Sequence, residues 1–295
     1  MGTTPPANAR SRLLPFLGLI LMAVSLGTGH VSSRLAFANG VNVATAASMR
    51  SLTAAVLLFG LLTVLGRRVF PLPAQFRSNL LLGLMIAVQT VLIQMSVSLM
   101  PVTLAILVFY TFPFLTGVAS TLLGDERPTF RLFGALAATF VGLALVLGVQ
   151  AGVSLAGVAC AAGAAVAFTS ALVMTPRLAP DIAAPLRTFF MLSTAAALFV
   201  GGTTAAGAWQ FPVNAAGWAG LAGLAAFYAI GISGVFLLAS RLGATQTAIG
   251  MNLEPVAVAI MAWLLLGESL GPLQIVGAAI VVGSVIAYQL RPGRA

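Results

Sequence analysis

The sequence predicts an all-α integral membrane protein: ten transmembrane helices in two five-helix halves of inverted topology, with both termini cytoplasmic. Three observations predict it. The chain has 295 residues, of which 60% are hydrophobic and 6% charged, with a mean hydropathy of +1.09. A soluble domain carries about a quarter charged residues, so this chain has too little polar surface to cover itself in water. Its apolar residues gather in ten runs, each with room for the ~20 residues that cross ~30 Å of hydrocarbon. These runs are too long and unbroken for the strands of an outer-membrane barrel. Finally, one pattern occurs twice. Pro113 and Pro255 each sit inside an apolar run, and each is followed thirteen residues later by a glutamate, Glu126 and Glu268.

The elements follow in order. Residues 1–12 contain Pro, Thr and Arg. Arg10 and Arg12 before an apolar run imitate a secretory signal, but no small-x-small cleavage site closes the run, so it is expected to stay as a first span. Span 1 is read as Leu13–His30, span 2 as Ala44–Gly66, and span 3 as Asn79–Leu99. Span 4 is read as Thr103–Gly124, span 5 as Arg131–Gln150, and span 6 as Leu155–Met174. Span 7 is read as Leu186–Thr203, span 8 as Ala215–Ser240, span 9 as Gln246–Leu266, and span 10 as Leu273–Leu290. The loops between them are short and hold most of the arginines and several of the prolines.

Arginine placement sets the orientation. There is no lysine, so all 14 basic residues are arginine. With a cytoplasmic N-terminus, every arginine except Arg34 and Arg50 falls on the cytoplasmic side. Both termini are then cytoplasmic, which requires an even number of spans. The net charge of +9 is accounted for by these loops, and no nucleic-acid partner is expected.

The repeat extends beyond the prolines. Ser33-Arg34-Leu35-Ala36 echoes Pro176-Arg177-Leu178-Ala179. Arg50 and Arg187 head spans 2 and 7 in similar Ala-Ala-x-x-Arg settings. Gly134-Ala135 in span 5 matches Gly277-Ala278 in span 10. The halves divide as residues 1–150 and 151–295. Each holds an odd number of spans, so the copies cross the membrane in opposite senses, an inverted repeat. The copies differ at one telling place: Phe112 precedes the first proline where Glu254 precedes the second.

Candidate functional residues are the polar groups inside spans. Paired broken helices in two halves point to a transporter's binding site, and Pro113 and Pro255 are read as hinges. A carboxylate deep in a span costs roughly 2.5–3.5 kcal/mol on insertion scales, so Glu254 is expected to face the interior. There it can carry a proton, bind a substrate ammonium, or hydrogen-bond the broken turn. Thr90, Gln94 and Ser98 fall four residues apart on one stripe of span 3, a stripe expected to face a cavity. Tyr110, Tyr228, Ser233 and Asn252 complete the candidate substrate-binding set. Gln89 lies off the stripe and is read as facing another helix. His30 is read as anchoring span 1 at the outer interface or, as the alternative, lining the outer mouth. Asp125, Glu126 and Glu268 are read as interfacial. The rows Gly134/Ala138/Gly142 and Ala279/Gly283/Ala287 suit close helix packing, which makes spans 5 and 10 peripheral supports or a contact surface for another subunit.

Some functions are excluded. A Walker A phosphate loop needs a lysine, and there is none, so this chain hydrolyses no ATP by that route. One histidine, His30, and one cysteine, Cys160, cannot build a usual zinc site. No metal or cofactor is expected. A serine hydrolase on His30 lacks its Gly-x-Ser-x-Gly signature. A weakly charged interior without lysine suits a neutral or zwitterionic cargo and disfavours polyphosphates.

The Pro113…Gly124-Asp125-Glu126 and Glu254-Pro255…Gly267-Glu268 segments, with the Arg50 and Arg187 helix heads, resemble the EamA-type branch of the drug/metabolite transporter superfamily. The resemblance covers residues 13–290. It implies a secondary transporter in the bacterial inner membrane, embedded in lipid, that exports small metabolites by alternating access around a cavity lined by spans 1, 3, 4, 6, 8 and 9. Within the branch the chain is similar to exporters of amino acids, aromatic ones included. A passive channel is the alternative, and an intramembrane enzyme a more distant one.

Overall fold

The structure, a computed structural model, describes residues 9–67, 69, 73–99, 102–147, 154–180, 182–266 and 271–290. These form twelve helices with no strand among the described residues. The first six are α1 (Ala9–Ala38), α2 (Val43–Val64), α3 (Pro73–Leu99), α4 (Val102–Phe109), α5 (Phe112–Leu122) and α6 (Phe130–Leu147). The other six are α7 (Leu155–Leu178), α8 (Ala184–Ala205), α9 (Ala215–Leu242), α10 (Ala244–Met251), α11 (Leu253–Leu266) and α12 (Pro272–Leu290). Six helices, α1, α2, α3, α7, α8 and α9, are each long and apolar enough to cross a membrane. Their outward faces carry exposed Leu, Val and Phe, such as Leu21, Val56 and Phe59. Helices apolar on both faces are solvated by lipid rather than water.

Spans 4 and 9 each divide into two helices. The division falls ahead of the proline, at Tyr110-Thr111 and at Asn252, rather than at the proline itself. The reason is steric. A proline ring clashes with the turn before it, but is tolerated in a helix's first turn, where its missing N–H would be unpaired anyway. Pro113 and Pro255 therefore open α5 and α11, and the turn ahead of each gives way. Both breaks are tightened in the same manner. The Thr111 amide donates to the Val108 carbonyl and the Asn252 amide to the Ile249 carbonyl, each at 3.1 Å. The break residue's side chain adds a second bond to the same carbonyl, from Thr111 Oγ1 at 2.8 Å and from Asn252 Nδ2 at 3.0 Å.

α1 is longer than the sequence suggests. Nothing after His30 breaks the helix until Asn39-Gly40, where Gly40 turns the chain at φ +94°. The helix therefore runs on to Ala38 and leaves His30 inside it.

Packing has a regular pattern. α1 packs on α9, α10 and α11, while α7 packs on α3, α4 and α5. α2 packs on α9 as α3 packs on α8, and α2 packs on α8 and α6 on α12. Exchanging the first six helices for the last six leaves these pairings unchanged. Glycines permit the closest crossings. A Cβ on Gly220 of α9 would lie 2.6 Å from the Ala36 backbone nitrogen of α1. One on Gly142 of α6 would lie 2.9 Å from the Gly277 carbonyl of α12. Gly134 and Gly283, grouped with packing glycines in the sequence reading, instead have open space beyond them.

Candidate functional site

A cavity of about 150 Å³ lies between the halves, walled by α1, α2, α3, α4, α7, α9 and the α10–α11 break. The break at Asn252 places Glu254 in the first turn of α11 and on this wall. Glu254 is 7% exposed. Its Oε1 lies 2.9 Å from Nε2 of His30, whose side chain is half exposed to the cavity. The Tyr110 hydroxyl, supplied by the other broken span, interacts with the same carboxylate. Three elements far apart in sequence thus converge on one acid.

Arg50 stands on the same cavity from α2. Its guanidinium lies 4.6 Å from the centre of the Tyr228 ring, an arrangement in which the cation is held by the ring's negative face. One terminal nitrogen donates to Thr90 Oγ1 at 3.5 Å, a long and weak bond. Its Nε is buried with no hydrogen-bond partner. A buried donor left unmade costs about 1–3 kcal/mol, so this arginine is incompletely satisfied. The cavity thus offers one fixed cation and one carboxylate.

Aromatic rings close the middle of the molecule. Phe112 is fully buried and packs edge-on against Phe168 with centroids 5.0 Å apart. Phe109 and Tyr110 lie 5.2 and 5.5 Å from the same Phe112 ring. Phe109 and Phe168 also line the cavity. The position matching Glu254 in the first half is therefore filled by an aromatic cluster.

Of the residues singled out from the sequence, Tyr110, Tyr228, Glu254 and Pro255 line the cavity together. Thr90 is buried behind Arg50 and joins it rather than the wall. Asn252 is buried, and its amide caps the end of α10 at the Ala248 and Ile249 carbonyls. Ser233 bonds the Ala229 carbonyl of its own helix at 2.6 Å. Pro113 opens α5 and is buried. The side chains of Gln94 and Ser98 lie outside the described residues, as does Glu268.

Three cavity residues depart from the sequence reading. His30 faces the cavity instead of anchoring a helix end, because α1 continues beyond it. Gln89 lines the cavity instead of facing another helix. Arg50 was read only as a marker of the repeat. A signal for it existed: it is one of two arginines that break the charge asymmetry of the loops, and it falls in the eighth position of α2.

Two segments of the chain, residues 13–148 and 155–288, match the EamA-like transporter family. No match was found among curated proteins. A solved crystal structure shares the fold with a TM-score of 0.77 at 18% sequence identity, covering 95% of this chain and 98% of that one. With two family matches spanning nearly all of its length, the chain belongs to the EamA-like transporter family.

Proposed function

We propose that this EamA-like protein, a multi-pass membrane transporter of small molecules, exports amino acids, with aromatic side chains the best fit. The observation that carries the reading is the pairing of Arg50 and Glu254 on one cavity wall system. A free amino acid presents a carboxylate and an ammonium. Arg50, with its unpartnered Nε, suits the carboxylate, and Glu254 suits the ammonium once His30 yields. Phe109, Phe168 and Tyr228 offer apolar and cation-binding faces to the side chain. The cavity is smaller than the ~300–1,000 Å³ of drug-sized sites, which suits a single small metabolite.

The transport cycle is alternating access between two five-helix halves, residues 1–150 and 151–295, in ten spans. Each broken pair, α4–α5 and α10–α11, serves as one span. The exchangeable helix pairings support an inverted repeat, and the arginines gathered where α2, α5, α7 and α9 end support a cytoplasmic assignment for that end and both termini. The membrane is then the bacterial inner membrane. Glu254 takes either a proton or the cargo ammonium, which couples export to the proton gradient. Counterflow of a panel of labelled amino acids in proteoliposomes tests the reading. Saturable, trans-stimulated flux of phenylalanine or its kin is expected. Linear, unsaturable flux would identify a passive pore instead.

A further inference from the structure

A second cavity, of about 670 Å³, lies at the arginine-rich end of the molecule. Its wall includes the first turn of α10 at Gly243, Ala244, Thr245 and Gln246, together with Glu126 and Arg187. Nothing in the transport reading above uses it.

Its chemistry is specific. The N-cap of α10 is Gly243, at φ +87°, and it offers no side-chain hydrogen bond to the first turn. A helix N-terminus without a side-chain cap attracts anions through its dipole and its first-turn N–H groups. A second cationic group stands on the same cavity. Arg187 is 5% exposed. Its Nη1 donates to the carbonyls of Ala179 at 2.9 Å and Thr175 at 3.3 Å. Its Nε is buried with no partner. Opposite charge is also present. Glu126 accepts from the Tyr288 hydroxyl at 3.3 Å through Oε2, and the Thr245 hydroxyl is buried with no hydrogen-bond partner. The neighbouring acid, Asp125, is already engaged by Arg177 at 2.8 Å.

We infer that this cavity is a second binding site for the same zwitterionic cargo, with the cargo carboxylate on the α10 N-terminus and Arg187 and its ammonium on Glu126. The inference rests on the amino-acid reading of the central cavity and extends it. The two cavities use the same pair of groups, Arg50 with Glu254 and Arg187 with Glu126. Arg187 is the residue that echoes Arg50 in the sequence. α10 joins the two cavities. Its eight residues span ~12 Å at 1.5 Å per residue. Its N-terminus favours the cargo's carboxylate, and its C-terminus, beside Glu254, favours the cargo's ammonium. The inner site then loads cargo before the α10–α11 break opens the way to the central one.

The test is the stoichiometry of labelled phenylalanine bound to the full-length protein in detergent. Two molecules per chain are expected. Glu126→Gln removes the inner carboxylate and should reduce this to one. Ala244→Asp places a tethered carboxylate in the first turn of α10, where it competes for the anion site. Because an acid there favours the helix, loss of binding in this variant does not reflect loss of fold, and it too should bind one. Glu254→Gln should also bind one, but at the inner site, so Glu126→Gln with Glu254→Gln should bind none. One molecule bound by the parent, or two still bound by Glu126→Gln and Ala244→Asp, overturns the inner site alone. No binding by the parent overturns the amino-acid reading as well.

Discussion

His30 and Glu254 are separated by 224 positions in the chain and meet at 2.9 Å across the central cavity. One comes from α1 and the other from the first turn of α11, so the contact joins the two segments that match the family. In the proposed amino-acid reading, a cargo ammonium that binds Glu254 through Oε1 displaces the imidazole, which makes His30 a competitor for that oxygen.

The first prediction concerns this competitor. His30→Ala removes the imidazole that bonds Glu254. Cargo binding should tighten several-fold, because the imidazole no longer occupies Oε1. Glu254→Gln should weaken it by about 10- to 100-fold, the loss expected for a hydrogen bond to a charged group worth ~1.5–3 kcal/mol, and should abolish the response of transport to an imposed pH gradient. Equilibrium binding and pH-jump flux measure both. Unchanged affinity in both variants would make the pair structural.

The second concerns Arg50. Phenylalanine and phenethylamine differ by the carboxylate alone. The parent should prefer phenylalanine by at least about tenfold, on the same charge-assisted hydrogen-bond scale. Arg50→Gln should erase that preference by weakening phenylalanine binding while leaving phenethylamine unchanged. Equal loss of both ligands would point to a collapsed cavity rather than a lost carboxylate site.

The third concerns the breaks. Pro113→Ala and Pro255→Ala restore an amide donor in the first turns of α5 and α11, and so favour a straight helix through Thr111 and Asn252. A proline inside a helix costs ~3 kcal/mol or more, and removing it shifts the balance toward the unbroken form. Both variants should insert normally and exchange cargo roughly tenfold more slowly. Exchange at the parent rate would reduce the prolines to packing features.

The fourth separates glycines that look alike in sequence. Gly220→Ala sets a methyl 2.6 Å from the Ala36 backbone nitrogen, and overpacking of this kind costs about 1–3 kcal/mol. Gly283→Ala meets open space and should gain up to ~1 kcal/mol of helix propensity. Thermal unfolding in detergent should show a lower midpoint for the first and an equal or higher one for the second. The reverse order would contradict the α1–α9 crossing.

The fifth concerns pH at the inner cavity. Burial is the largest influence on the Glu126 carboxyl and pushes it up, Asp125 adds to the rise, and the Tyr288 hydroxyl opposes it. Arg187 shares the cavity. Only the ionised form of Glu126 holds an ammonium, so inner-site binding should fade as pH falls through a range above that of an ordinary carboxylate. Glu126→Gln should lose this acid limb. Binding at the inner site that is flat with pH down to the ordinary carboxylate range would contradict it.

The architecture is largely legible in the sequence. Hydropathy locates the apolar helices, and paired prolines thirteen residues ahead of a glutamate mark the two broken ones. Glu254 stands out because an unpaired acid inside a span is costly. What stays hidden is direction around a helix. Gln89 and Thr90 are both polar and lie ~100° apart around α3, so the polar stripe through Thr90 does not reveal that Gln89 also turns to the cavity. His30 is hidden for another reason. Its role depends on where α1 ends, and that is set by Asn39-Gly40, beyond the most hydrophobic stretch. The inner cavity depends on the start of α10, which is set by the turn at Gly243 as the chain leaves α9.

The central claim is that the cavity recognises both ends of a zwitterion. The most direct measurement is competition against counterflow of labelled phenylalanine in proteoliposomes by three unlabelled compounds: phenylalanine, its methyl ester and its N-acetyl derivative. The ester lacks the carboxylate meant for Arg50, and the N-acetyl compound lacks the ammonium meant for Glu254. The account predicts strong inhibition by phenylalanine and at least about tenfold weaker inhibition by each derivative, the loss of one charge-assisted contact in either case. Equal inhibition by all three, or no counterflow of phenylalanine at all, would contradict it.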